Sequence, residues 1–132
     1  MKKQFFTMMA FACATLAGCG LAPAPQGTPP DAETLHIFHN NRGAMCLDAV
    51  AWLEGIQVQY PDLDVEEHLI DDPTEQDLLN QWKSHFDGSQ GISTSFGFLP
   101  IIFYGGEAFS GFNDQIAQDL ETLIASAQTP AP

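Results

Sequence analysis

Between residues 33 and 127 the apolar positions change spacing several times, and each change marks an element. Leu35 to Phe38 is a short apolar run that suits a buried strand. From Ala44 to about Gln57 the apolar residues Met45, Ala49, Trp52, Leu53 and Ile56 recur three or four apart, which predicts a helix broken by Pro61 and Asp62. Val65 to Ile70 returns to extended character. Asp72-Pro73-Thr74-Glu75 then offers an N-cap, a first-turn proline and an acid at the third helical position, predicting a helix from Pro73 to about Phe86 with Leu78, Leu79 and Trp82 inward. After a loose Gly/Ser loop, Ile101 to Tyr104 and Ala108 to Phe109 flank Gly105-Gly106, a hairpin signal whose two residues tolerate positive φ. Asn113 or Asp114 caps a last helix carrying Ile116, Leu120, Leu123 and Ile124. The order βαβαββα predicts an α/β domain with a four-stranded mixed sheet and helices on both faces. No internal repeat interrupts it.

The first 18 residues obey a different rule. Lys2 and Lys3 precede an apolar stretch from Phe5 to Leu16 that is short for a membrane span, and Leu16-Ala17-Gly18-Cys19 closes it. That ending resembles the lipobox of bacterial lipoproteins. The resemblance implies a signal peptide over residues 1–18, a diacylglycerol on the Cys19 sulfur and acylation of the new amino terminus, so that the membrane is a partner through lipid. Gly20, where the family's sorting pattern would place Asp for retention, implies the outer membrane, facing the periplasm. An ordinary secretory signal with a chance cysteine is the alternative. Residues 19–32, rich in Pro and Ala, read as a tether, and residues 128–132 as a disordered tail.

Charge and cysteine usage narrow the chemistry. The chain carries seventeen acidic side chains against four basic ones, and Lys2 and Lys3 belong to the signal, which leaves Arg42 and Lys83. Nucleic acid and anionic lipid head groups are therefore poor partners, since the electrostatic term would be repulsive. A basic protein partner, a cation or simple solubility fits. Cys13 lies in the signal and Cys19 would be consumed by lipid, so Cys46 is left alone and no internal disulfide can form. An unpaired thiol in an oxidising compartment is sequestered, paired with another molecule, or used.

Phe98-Leu99-Pro100-Ile101-Ile102-Phe103-Tyr104-Gly105-Gly106, followed by Gly111-Phe112-Asn113-Asp114, resembles the C-terminal half of a glutaredoxin, within the thioredoxin fold. Gly43-Ala44-Met45-Cys46, starting five positions after Phe38, stands where that family carries Cys-x-x-Cys. The resemblance implies that Gly43 occupies the attacking position and Cys46 the resolving one, so the dithiol cycle cannot run. It also implies a cis Leu99–Pro100 bond, with the backbone of Leu99 offered to an extended substrate as in strand addition. Asn113 and Asp114 would stand where glutaredoxins hold the γ-glutamyl end of glutathione, but the absence of the usual lysine and the acidic balance argue against that cofactor.

Three functional expectations follow. A non-catalytic peptide or protein binding module would keep the groove around Gly43, Leu99 and Pro100. A monothiol redox protein would use Cys46, exposed through a notch at Gly43 and favoured as thiolate by Arg42. A copper-handling protein would draw on the nearby His36, His39, Met45 and Cys46, of which His39 and Cys46 could converge. His68 and His85 read as isolated surface or core residues.

Overall fold

A computed structural model describes residues 27–128 and 131–132. The signal segment, Cys13, Cys19 with its expected lipid, and the tether up to residue 26 lie outside the described residues. The elements are β1 (Leu35–His39), α1 (Ala44–Gln59), β2 (Val65–Leu69), α2 (Pro73–Lys83), β3 (Gln90–Gly91), β4 (Ile101–Tyr104), β5 (Glu107–Ser110) and α3 (Asp114–Ala127). They build one mixed sheet in the order β2-β1-β4-β5-β3. β1 and β2 run parallel, β4 is antiparallel to both β1 and β5, and β3 is parallel to β5. This is an α/β fold of βαβαββα-like order, compatible with a thioredoxin-like fold.

Strand alternation divides the core in two. Leu35, Ile37, Ile102, Tyr104 and Phe109 point to the face covered by α1 and α3, where Ala49, Leu53, Ile56, Ile116, Leu120 and Ile124 meet them. Phe38, Ile101, Phe103 and Ala108 point to the other face, against Leu79 and Trp82 of α2. Each fully buried aliphatic or aromatic side chain contributes about 1.5–3 kcal/mol relative to exposure. Both layers are therefore needed to offset the entropy of ordering so short a domain.

The local signals act as the sequence suggests. Asp72 caps α2 by accepting from the Thr74 N–H at 2.8 Å, with Pro73 in the first turn. Asn113, rather than Asp114, caps α3, accepting from the Ile116 N–H at 2.9 Å. Gly105 and Gly106 take φ of +61° and +77°, the two positive values that a tight hairpin with matching strand twist requires.

Three features depart from the sequence reading. The Gly/Ser segment contributes a fifth, two-residue edge strand, β3, which shows no apolar alternation because both of its residues are exposed, the Gln90 side chain donating across to Glu107 of β5 at 3.0 Å and Gly91 taking φ +98°. α2 ends at Lys83, three residues before the expected stop: the Ser84 hydroxyl donates back to Gln81 O, and the His85 and Phe86 N–H groups bond three residues back. At the other end, Asp31 and Ala32 attach to the domain. Gly105 N–H donates to Ala32 O at 3.1 Å, and the Asp31 carboxylate accepts from the Thr34 and Glu33 N–H groups.

Asp31 has a consequence for acid stability. The Thr34 N–H first, and His36 next, lower its pKa from 3.8 to about 2. The folded state thus keeps this carboxylate ionised further into acid than the unfolded chain does. Its stabilising contribution is complete above about pH 4 and is lost as pH falls through about 2. Asp31→Asn should lower stability at neutral pH, with the gap to the unaltered chain closing between about pH 4 and 2. Urea melts across that range measure it.

Candidate functional site

One end of the sheet gathers the residues expected to act. Phe38 of β1 pairs with Ile101 of β4, and Ile101 with Ser110 of β5. The turn from Asn40 to Gly43, the Leu99–Pro100 segment and the start of α3 at Asn113 and Asp114 therefore leave adjacent strands at the same end. Leu99–Pro100 is cis.

The turn after β1 is set by Asn40, whose Oδ1 accepts from the Gly43 N–H at 2.7 Å and the Arg42 N–H at 3.1 Å. Gly43 is the N-cap of α1 with φ −73° and ψ 136°, an extended conformation open to any residue, and its lack of a side chain leaves the cap without a side-chain hydrogen bond. A Cβ at this position would lie 3.6 Å from Cys46 Sγ. The glycine does stand over the cysteine, yet it does not expose it, because Cys46 is only 1% accessible. Burial pushes the thiol pKa up by more than the Asn40 backbone lowers it. Arg42 does not act on the sulfur as expected: its guanidinium makes two hydrogen bonds to Asp71, at 2.9 and 3.0 Å, on the exposed side of the turn.

The Leu99 segment is more open. Ser110 is fully buried, and its hydroxyl accepts from the Phe98 N–H at 2.9 Å and donates to Phe98 O at 2.8 Å. The Gly111 N–H is shared between Phe98 O and Pro100 O. Both neighbours of Leu99 are thus tied down, while the Leu99 N–H and C=O have no hydrogen-bond partner among the described residues. Beside them lies a cleft of about 260 Å³ between α2 and the 96–99 loop, with Ile70, Leu79, Phe96, Phe98 and Ile101 among its walls. Phe98 is 47% exposed at its lip. Phe96 is held at φ +57°, costing on the order of 1 kcal/mol. Its N–H donates to Ser89 Oγ at 2.9 Å, and the Lys83 ammonium sits 5.7 Å from its ring centre.

Ser110→Ala removes both hydrogen bonds to the Phe98 backbone, one accepted and one donated by the hydroxyl, and should cost about 1–3 kcal/mol for the two together. Chemical melts, together with faster amide exchange at Phe98, check this. A change under 0.5 kcal/mol on the scale of an ordinary surface substitution would mean that Ser110 does not fix the segment.

The side chains of Asn113 and Asp114 take different parts: the Asn113 carbonyl is used by its own helix, and Asp114 is an exposed first-turn acid. His39 is the last residue of β1 rather than past its end, and only 2% accessible, because the pairing continues through Ile70 N–H to His39 O. Its Nε2 meets Glu67 Oε2 at 3.1 Å and its Nδ1 lies 3.4 Å from Asn40 O. His68 is not isolated: it is buried against His36 on the α2 face, a pairing that sequence reasoning missed.

Among the described residues no helix is long and apolar enough to cross a membrane. Comparison of the chain with protein-family models, with curated proteins and with solved structures finds no match.

Proposed function

We propose that the protein is a peptide or protein binding module that takes an extended segment against Leu99, held at the cell envelope by lipid on Cys19, with the outer membrane facing the periplasm as its location. The observation that carries the reading is the pair of unpartnered backbone groups on Leu99, beside an apolar cleft and between neighbours fixed by Ser110 and Gly111. A bound strand gains main-chain hydrogen bonds from Leu99 and places one side chain in the cleft, the division of labour that strand addition uses. The degenerate glutaredoxin-like site agrees with this, since backbone recognition needs no cysteine, and Gly43 supplies none. Catalysis by a dithiol cycle has no attacking group. A monothiol role for Cys46 is disfavoured by its burial and raised thiol pKa. The acidic balance selects partners that carry basic residues around the docked segment.

A library of extended peptides with one apolar residue flanked by lysine or arginine, read by fluorescence anisotropy, tests the reading. The best binders should lose about tenfold in affinity on Phe98→Ala, or when the peptide amide facing Leu99 is N-methylated. If no peptide binds below about 1 mM, or if binders ignore both changes, the reading fails.

A further inference from the structure

A second cluster lies apart from the Leu99 cleft, between the edge strand β2 and α2. His36 on β1 is in register with Glu66 on β2, and His68 lies two residues further along the same face. His36 Nδ1 and His68 Nε2 stand 3.2 Å apart, and Glu66 Oε2 is 3.3 Å from the first and 3.8 Å from the second. The outer nitrogens are engaged elsewhere. His36 Nε2 faces Asp31 Oδ2 at 3.1 Å, and His68 Nδ1 faces Glu75 Oε2 at 2.7 Å.

Each outer nitrogen thus faces a carboxylate oxygen, and a proton on that nitrogen leaves the inner nitrogen of the same ring free as a ligand. His36 Nδ1, His68 Nε2 and a Glu66 carboxylate oxygen all lie within 4.8 Å of one another. Tetrahedral ligands bound at about 2.0–2.1 Å stand about 3.3–3.4 Å apart, close to the spacings here. A carboxylate behind each ligating imidazole is the arrangement that orients metal-bound histidines.

We propose that His36, Glu66 and His68 bind a divalent first-row transition metal of the zinc class through Nδ1, Oε2 and Nε2. Asp31 and Glu75 act as the outer carboxylates. Two imidazoles select against magnesium and calcium. Both histidines are nearly buried, whereas the Glu66 side chain is 62% exposed on the edge strand, so the ion enters past Glu66 and a fourth position faces solvent. The Trp82 ring, 4.6 Å from that of His36 and 5.7 Å from that of His68, walls the site on the α2 side.

The test is zinc titration of the chelator-treated full chain by calorimetry, with stoichiometry from elemental analysis. One equivalent should bind. Glu66→Gln removes a ligand from an exposed position and should weaken binding by more than tenfold, and Glu75→Gln, which touches no metal, should weaken it by about 10–100-fold. Asp77→Asn, an exposed acid on α2 outside the cluster, should leave it unchanged. Zinc should raise the melting temperature of the unaltered chain and not that of Glu66→Gln, a readout independent of calorimetry. The proposal is overturned by absence of saturable uptake, which would leave a cluster holding a proton only. It is equally overturned if Glu66→Gln and Asp77→Asn bind alike, or if calcium competes on equal terms, since either result describes diffuse attraction to surface acids.

Discussion

Gly43→Cys should turn a chain with one buried thiol in its described residues into one with a disulfide at the start of α1. The backbone at position 43 already has an extended conformation that an L-residue adopts freely. The new Cβ would sit 3.6 Å from Cys46 Sγ, within reach of a sulfur–sulfur bond of about 2 Å after rotation of the added thiol. Asn40 Oδ1, 3.1 Å from that Cβ, has to shift by a few tenths of an ångström. In the reduced protein the new sulfur stands at the N-cap, where exposed N–H groups and the helix dipole favour a thiolate, unlike Cys46 three residues further in. Peptide mapping after mild oxidation should find the 43–46 bridge. Insulin reduction with dithiothreitol as the electron source should rise above the unaltered chain by about tenfold or more. Two free thiols after oxidation, with unchanged turnover, would show that more than one side chain separates this site from redox chemistry. In the unaltered chain, Cys46 should resist iodoacetamide until denaturant is added.

Phe103→Ala should be the most damaging single truncation on the α2 face. Phe103 is 1% exposed and its ring contacts those of Phe38, Trp82, Phe86 and Phe96, with centroids 5.9, 5.6, 5.2 and 6.4 Å away. Removing the ring costs its transfer free energy and leaves a void that four other rings cannot close, about 3–5 kcal/mol in total. Against a typical domain stability of about 5–15 kcal/mol, that is a large share. The melting temperature should fall by on the order of 20 °C. Phe103→Leu, which keeps most of the volume, should lose much less. If the alanine variant loses under 1 kcal/mol, the aromatic layer is looser than its ring spacing indicates. Because Phe96 also walls the cleft, the alanine variant should lose peptide affinity even under conditions where it remains folded.

The order of elements was legible because its punctuation is local. Pro73 with its Asp72 cap, Gly105-Gly106 and the Asn113 cap each act over three or four residues, and each does in the structure what its chemistry suggests. The pairing of His36 with His68 was not legible, because it depends on the register of two parallel strands joined by a helix, which spacing along the chain does not fix. Glu75 concealed its part by fitting a helix-start pattern: it reads as a capping acid, but its carboxylate faces His68 instead. Arg42 departs from its expected role for a related reason. Proximity in sequence to Cys46 suggested an electrostatic partner, whereas Asp71, brought near by the end of β2, holds the guanidinium outside.

The two borders of the sheet are unlike each other, and both discourage further pairing. One is β2, whose Glu66 and Glu67 side chains are exposed and alike in charge; the other is β3, only two residues long. A copy laid alongside either border would meet repulsion at the first and too short a ladder at the second. Concentrated solutions of this chain should therefore resist strand-to-strand polymerisation, and Glu66→Val with Glu67→Val together should remove that resistance.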